Sequence, residues 1–227
     1  MAINEILLTP SWFISLESLF YIISMIVTFA ISFYSYKVYK LSENRSYKYL
    51  FVSFFAISFG FLFKILSNLM VLYYDKLSPY HIFNYLKLSY IYTGSLVLYA
   101  FLILGGYIIL ACLASKVSNR KVIFSLLLIS LLCAVLVDKA RSFTFFYFFS
   151  FVLLVVYIIP YMYENYQKKK IRSSYLVFSS FLLLGIANFS FIIRTVYPYL
   201  RFYALGQFIS LIAFIILLIS FILVLKK

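Results

Sequence analysis

Five side chains stand out because they are ionisable or carry amides inside long apolar runs: Glu17, Lys64, Asn68, Asn188 and Gln207. A charge at the centre of a bilayer costs about 2.5–3.5 kcal/mol on insertion scales, so each such group needs a partner or a task. Glu17 is the sole carboxylate within an apolar run and Lys64 the sole lysine. An ion pair between them reconciles both charges with hydrocarbon, because a lysine stem extends its head about 6 Å along an apolar surface. Asn68 follows Lys64 by four residues and Gly60 precedes it by four, which puts a small and polar stripe on one helical face, directed into a bundle.

At about 1.5 Å per residue from the nearer helix end, Gln207 lies about 6 Å deep, Glu17 about 7 Å, Asn188 about 8 Å, Asn68 about 9 Å and Lys64 about 15 Å. All five approach from one side of the membrane, and Asn84, Lys87, Arg194 and Arg201 lie just beyond them on that side. Glu17, Lys64, Asn68, Asn188, Arg194 and Gln207 are therefore the candidate ligand-binding residues. Their net positive charge suits a small anionic or zwitterionic solute or a lipid headgroup. The plainer alternative is that they only hydrogen-bond the helices to one another.

Other chemistry is excluded by inventory. The chain has one histidine, His81, and two aspartates, Asp75 and Asp138, with no His-Glu-x-x-His and no Gly-x-Ser-x-Gly. No metal, cofactor or enzymatic activity is expected. Cys112 and Cys133 fall at different depths of neighbouring spans, too far apart for a disulfide, and read as small core residues. The sequons at Asn44 and Asn188 are expected on the cytoplasmic side and inside a helix, where neither is glycosylated.

The elements that hold these groups follow from composition. Of 227 residues, 66% are hydrophobic and 11% charged, against roughly 25% charged in a soluble domain. Apolar runs closed by charges predict seven transmembrane helices over 12–36, 49–74, 90–114, 122–137, 143–162, 175–193 and 203–225. The fourth run is the shortest. Uninterrupted runs of this length exclude the alternating strands of a membrane barrel. The expected fold is all-α and polytopic, with residues 1–227 forming a single transmembrane domain. The first ten residues carry no basic n-region, so the first helix is expected to stay in the mature chain.

Basic residues give the orientation. Lys37, Lys40, Arg45, Lys48, Lys116, Arg120, Lys121, Lys168, Lys169, Lys170, Arg172, Lys226 and Lys227 all fall on one side. Lys76, Lys87, Lys139, Arg141, Arg194 and Arg201 fall on the other. The positive-inside rule then predicts a cell-membrane protein with its N-terminus outside and its C-terminus cytoplasmic. The same placement reads the net charge of +14 as a topology signal facing anionic headgroups, with the lipid bilayer as partner and no nucleic acid. Tyr73, Tyr74, Tyr80, Tyr90, Tyr92, Tyr197, Tyr199 and Tyr203 are expected in an interfacial belt, and the Phe-rich stretch 143–151 on a lipid-facing or packing surface.

Shifting the chain against itself aligns Arg45, Ser46, Phe51, Ser53, Phe54 and Ile65 with identical residues at Arg172, Ser173, Phe178, Ser180, Phe181 and Ile192. Two parallel three-helix repeats joined by a linker helix follow from that match. This 3+1+3 topology resembles the sugar-exporting SWEET proteins and, more loosely, the seven-helix rhodopsin-like sensory proteins. The resemblance implies a solute path between repeats in the first case and a sensor in the second. A retinal Schiff base is not expected, because the last span contains no lysine. With cytoplasmic loops of a dozen residues or so, a transporter-like bundle is the first expectation. A sensor or partner subunit, relaying to another protein or a second copy, is the alternative. The inner halves of the first, second and sixth spans offer a transporter only Ser32, Ser35, Ser53, Ser179 and Ser180.

Overall fold

The computed structural model describes residues 11–76, 82–117, 119–135, 142–197 and 200–225. Among them are seven helices and no strand: α1 (Ser11–Ser42), α2 (Arg45–Lys76), α3 (Ile82–Ala114), α4 (Arg120–Val135), α5, α6 (Arg172–Val196) and α7 (Leu200–Leu225). The α5 rod runs through Ser142–Val152, a π-helical stretch at Leu153–Ile158, and Ile159–Lys169. Six of the seven are long and apolar enough to cross a membrane. The exception is α4, which has 16 residues; Asp138, Lys139 and Arg141 beyond it lie outside the described residues. The all-α class and the multi-pass membrane character thus stand.

Most helices outrun the apolar segments that specify them. The first starts at Ser11 and reaches Ser42, and the third begins at Ile82, where the sequence predicted a loop up to residue 89. Asn84 and Lys87 therefore sit on the first turns of α3, but their side chains, with all of His81, lie outside the described residues. A helix keeps its hydrogen bonds past the hydrocarbon edge, so its ends are fixed by capping rather than by hydropathy. Asn44 Oδ1 accepts the Ser46 N–H at 3.0 Å, and Asn119 Oδ1 accepts the Lys121 N–H at 3.0 Å, which caps α2 and α4. Ahead of them, α1, α3 and α5 end on left-handed residues, Glu43, Lys116 and Lys170, at φ of 53°, 55° and 50°.

The six long helices close into a ring in the order α1, α2, α3, α5, α6, α7. Packing is extensive within α1–α2–α3 and within α5–α6–α7, and thinner at the two seams, α1 against α7 and α3 against α5. Outside the ring, α4 lies on α3 through buried Ser130 and Ala134 and exposes Phe124, Leu128 and Leu132. Close approach of α2 and α3 depends on Gly106, where a Cβ would lie 2.6 Å from Ile57 Cγ1 and 2.9 Å from the Ser53 carbonyl. Aromatic rings fill the interior, among them Phe61 against Phe214 at 5.4 Å and Phe54 against Phe221 at 6.4 Å, joining α2 to α7 across the ring.

The outer surface carries Leu19, Ile26, Phe29, Phe33, Val156, Phe189 and Phe208, each at least half exposed. Apolar area on this scale aggregates in water and costs nothing in lipid. Within 143–151, Phe145, Phe148 and Phe149 face outward while Phe146 and Tyr147 are buried, so that stretch serves both surfaces. The π-helical stretch has a local cause. Pro160 lacks an N–H, and just before it the Ile159 N–H bonds to the Leu154 carbonyl, five residues back. Both cysteines are free.

Candidate functional site

Six helices meet around Glu17, in the half of the ring away from the basic loops. The carboxylate lies one and a half turns into α1, with a side chain 7% exposed, and Lys64 Nζ on α2 stands 3.5 Å from its Oε1. The ion pair expected from the sequence is present. Lys64 is itself only 14% exposed, and its ammonium also lies 5.9 Å from the centre of the Tyr21 ring.

Glu17 has a second partner. Tyr203 on α7 donates its hydroxyl hydrogen bond to the same oxygen. One turn further in, Gln207 Nε2 donates to the Tyr21 hydroxyl at 2.6 Å, and the Tyr21 and Tyr203 hydroxyls lie 3.4 Å apart. These contacts form a ladder: Glu17 and Tyr21 share one face of α1, Tyr203 and Gln207 one face of α7, and the pairs meet in parallel register. On the α2 side Asn68 Nδ2 donates to Ser18 Oγ at 3.2 Å, and Ser18 Oγ donates to the Ile14 carbonyl at 2.8 Å.

Arg194, at the end of α6, joins through an aromatic ring: its guanidinium carbon sits 4.2 Å from the centre of Tyr203. Tyr147 on α5 packs between Phe146 and Phe191, and Phe191 packs on Tyr203 at 5.4 Å. Tyr99 on α3 meets Tyr21 edge-on at 6.2 Å. Around one buried carboxylate the site thus gathers an ammonium, a guanidinium, two amides and four buried tyrosines.

Of the candidates from the sequence, Glu17, Lys64, Asn68, Arg194 and Gln207 are brought together. Asn188 is buried with other partners. Its Nδ2 donates to the Leu184 carbonyl at 2.9 Å, and its other neighbour is the Tyr107 hydroxyl. The sequence reading missed Tyr21, Tyr99, Tyr147 and Ser18, and it placed Tyr203 and Tyr92 in the interfacial belt. That placement is corrected: Tyr203 is 5% exposed and serves Glu17, and Tyr92 is 9% exposed. Tyr73, Tyr90 and Tyr197 are more than half exposed, as a belt requires; the side chains of Tyr74, Tyr80 and Tyr199 lie outside the described residues. The missed signal was spacing, since Glu17–Tyr21 and Tyr203–Gln207 are both four-residue pairs.

The cluster satisfies its own buried polar atoms. Among the described residues only Ser35 Oγ and Ser150 Oγ are buried without a hydrogen-bond partner. The half nearer the basic loops is different: Ser32 Oγ donates to the Phe51 carbonyl at 3.1 Å and Ser58 Oγ to the Met25 carbonyl at 3.1 Å, tying α1 to α2. Around these hydroxyls Ile31, Phe54, Leu110, Ile158, Phe181 and Leu217 are almost fully buried. No group of histidine, cysteine and carboxylate side chains among the described residues could hold a metal ion. Compared with known protein families, curated proteins and solved structures, the chain matches none.

Proposed function

We propose that the protein is a seven-span bundle, with its N-terminus outside and its C-terminus cytoplasmic, that binds a small anionic or zwitterionic solute in a transporter-like cycle. The observation that carries this reading is the position of the buried charges. Glu17 and Lys64 belong to the α1–α2–α3 unit, Tyr203, Gln207 and Arg194 to the α5–α6–α7 unit, and the cluster bridges the thin α1–α7 seam. In repeat-built transporters, the site lies between units that rock against each other. The six matched residues in α2 and α6, and the peripheral place of α4 between the two units, support the same plan.

The chemistry is ion-pair exchange. The cluster holds two cations, Lys64 against Glu17 and Arg194 over the Tyr203 ring, and one carboxylate, which leaves it net positive with the ligand absent. A solute carboxylate would take Lys64 and Arg194, an ammonium on the same solute would take Glu17, and Asn68 and Gln207 would complete its hydrogen bonds. Exchange of one buried pair for two avoids leaving any charge alone in hydrocarbon. The test is a thermal-stability screen of the purified protein against amino acids and small carboxylates. At least one should raise Tm in wild type and fail to do so in Arg194→Gln. A screen without a shift, or a shift that survives Arg194→Gln, overturns the reading.

A second reading, a sensor or a partner subunit with a one-sided site, has its own support. Phe54, Phe181 and Leu217 are almost fully buried in the half nearer the basic loops, where the buried polar side chains are hydroxyls such as Ser32, Ser53 and Ser180 among the described residues. Uptake of the screening hit into vesicles separates the two, since a sensor binds without accumulating it.

A further inference from the structure

A second site lies at the other end of the ring, on its outer face. An open groove of about 260 Å³ between α1 and α2 is lined by Phe29, Ser32, Phe33, Tyr36, Phe51 and Phe55. Its walls are aromatic rings in tilted contact, with Tyr36 against Phe51 at 5.2 Å, Phe51 against Phe55 at 5.7 Å and Phe55 against Phe59 at 4.7 Å. Of the two hydroxyls in its lining, that of Ser32 is already committed, donating to the Phe51 carbonyl. The surface that it exposes is hydrocarbon. From Phe29 to Tyr36 it runs about 10 Å along the helix axis.

The same helical faces turn basic where the groove reaches the α1–α2 connection. On α1, Lys37 follows Phe33 by four residues and Lys40 follows Tyr36 by four; on α2, Lys48 precedes Phe51 by three and Phe55 by seven. These spacings put all three lysines above the groove walls, and all three are exposed. Glu43 and Arg45 in the turn offset one another, so the mouth carries about three net positive charges. An apolar trough ending in a lysine cluster has the form of a lipid: tail below, anion above.

We infer that this groove is a binding site for an anionic phospholipid, with an acyl chain against Phe29, Phe33, Phe51 and Phe55 and the phosphate between Lys37, Lys40 and Lys48. A chance patch of membrane-facing surface would select no headgroup. This site selects charge, by about fivefold per lysine near an anionic surface and on the order of a hundredfold for three. The site shares no residue with the Glu17 cluster, and its failure would leave the solute reading untouched.

The experiment is native mass spectrometry of protein extracted from vesicles of equal phosphatidylcholine and phosphatidylglycerol. Wild type should retain phosphatidylglycerol preferentially. K37Q/K40Q/K48Q should lose the preference while K168Q/K169Q/K170Q, with the same charge removed elsewhere, keeps it. Phe33→Ala should weaken retention of both lipids. Equal retention by wild type, an unchanged preference in the first triple variant, or equal loss in both triple variants overturns the site. A protein dimer that excludes lipid from this face overturns it as well.

Discussion

Glu17→Gln is the most informative single change, because it removes one charge and keeps the shape. Glu17 Oε1 faces Lys64 Nζ at 3.5 Å and accepts the Tyr203 hydroxyl, and glutamine retains an acceptor for Tyr203. What is lost is the counter-charge of an ammonium that is 14% exposed. Removing one partner of a buried pair costs about 3–5 kcal/mol in soluble proteins. Lys64 lies twelve residues, about 18 Å, from the end of α2 at Lys76 and can extend towards the headgroups, which lowers the expected loss to about 2–3 kcal/mol. Lys64→Met should cost about 1–2 kcal/mol, because Glu17 keeps its bond from Tyr203. The double variant should recover about 1–2 kcal/mol relative to the sum of the single losses, since neither charge is then left alone. Equilibrium unfolding of the purified protein in mixed micelles reads all four corners of this cycle. Additive losses, with no coupling, would refute the ion pair as the element that holds these charges in the bundle.

Gly106→Ala should destabilise by about 1–3 kcal/mol in the same assay, because its Cβ would sit 2.9 Å from the Ser53 carbonyl, whereas Gly94→Ala, with nothing within 4 Å, should be neutral or mildly stabilising. Glu43→Gly should gain about 0.5–1 kcal/mol by relieving the left-handed φ of 53°; a loss there would mean that the Glu43 side chain contributes more than its backbone costs. Cysteines replacing the exposed Tyr73 or Tyr197 should react with an impermeant thiol reagent on intact cells, and a cysteine at Lys40 only after permeabilisation; the reverse pattern would invert the topology.

The helical class and the ion pair were legible in the sequence for one reason: hydrocarbon tolerates so few charges that Glu17 and Lys64 announce themselves by being there at all. Tyr203 and Tyr21 were not legible. Tyrosine is at home both in the membrane interface and in a hydrogen-bonded core, and the chain holds 23 of them. Depth alone put Tyr203 at the surface. Only the arrangement of α1, α6 and α7 shows that it faces Glu17 with Arg194 over its ring. Helix ends escaped for a related reason, since Asn44 and Asn119 act through one hydrogen bond each and leave no trace in hydropathy. That Asn188 bonds back to the Leu184 carbonyl while Asn68 reaches across to Ser18 could not be read from depth, which is similar for the two.

The central claim is that the α1–α2–α3 and α5–α6–α7 units part at the polar seam. Spin labels at Tyr73 on α2 and at Tyr197, the residue that follows α6, both exposed and one on each unit, test it by pulsed dipolar spectroscopy on a background with Cys112 and Cys133 replaced by alanine. Separation of the units predicts a second, longer distance that grows in Glu17→Gln and changes population when the solute found by screening is added. A single distance, unmoved by the substitution and by the solute, would contradict the claim and leave the cluster as an internal brace.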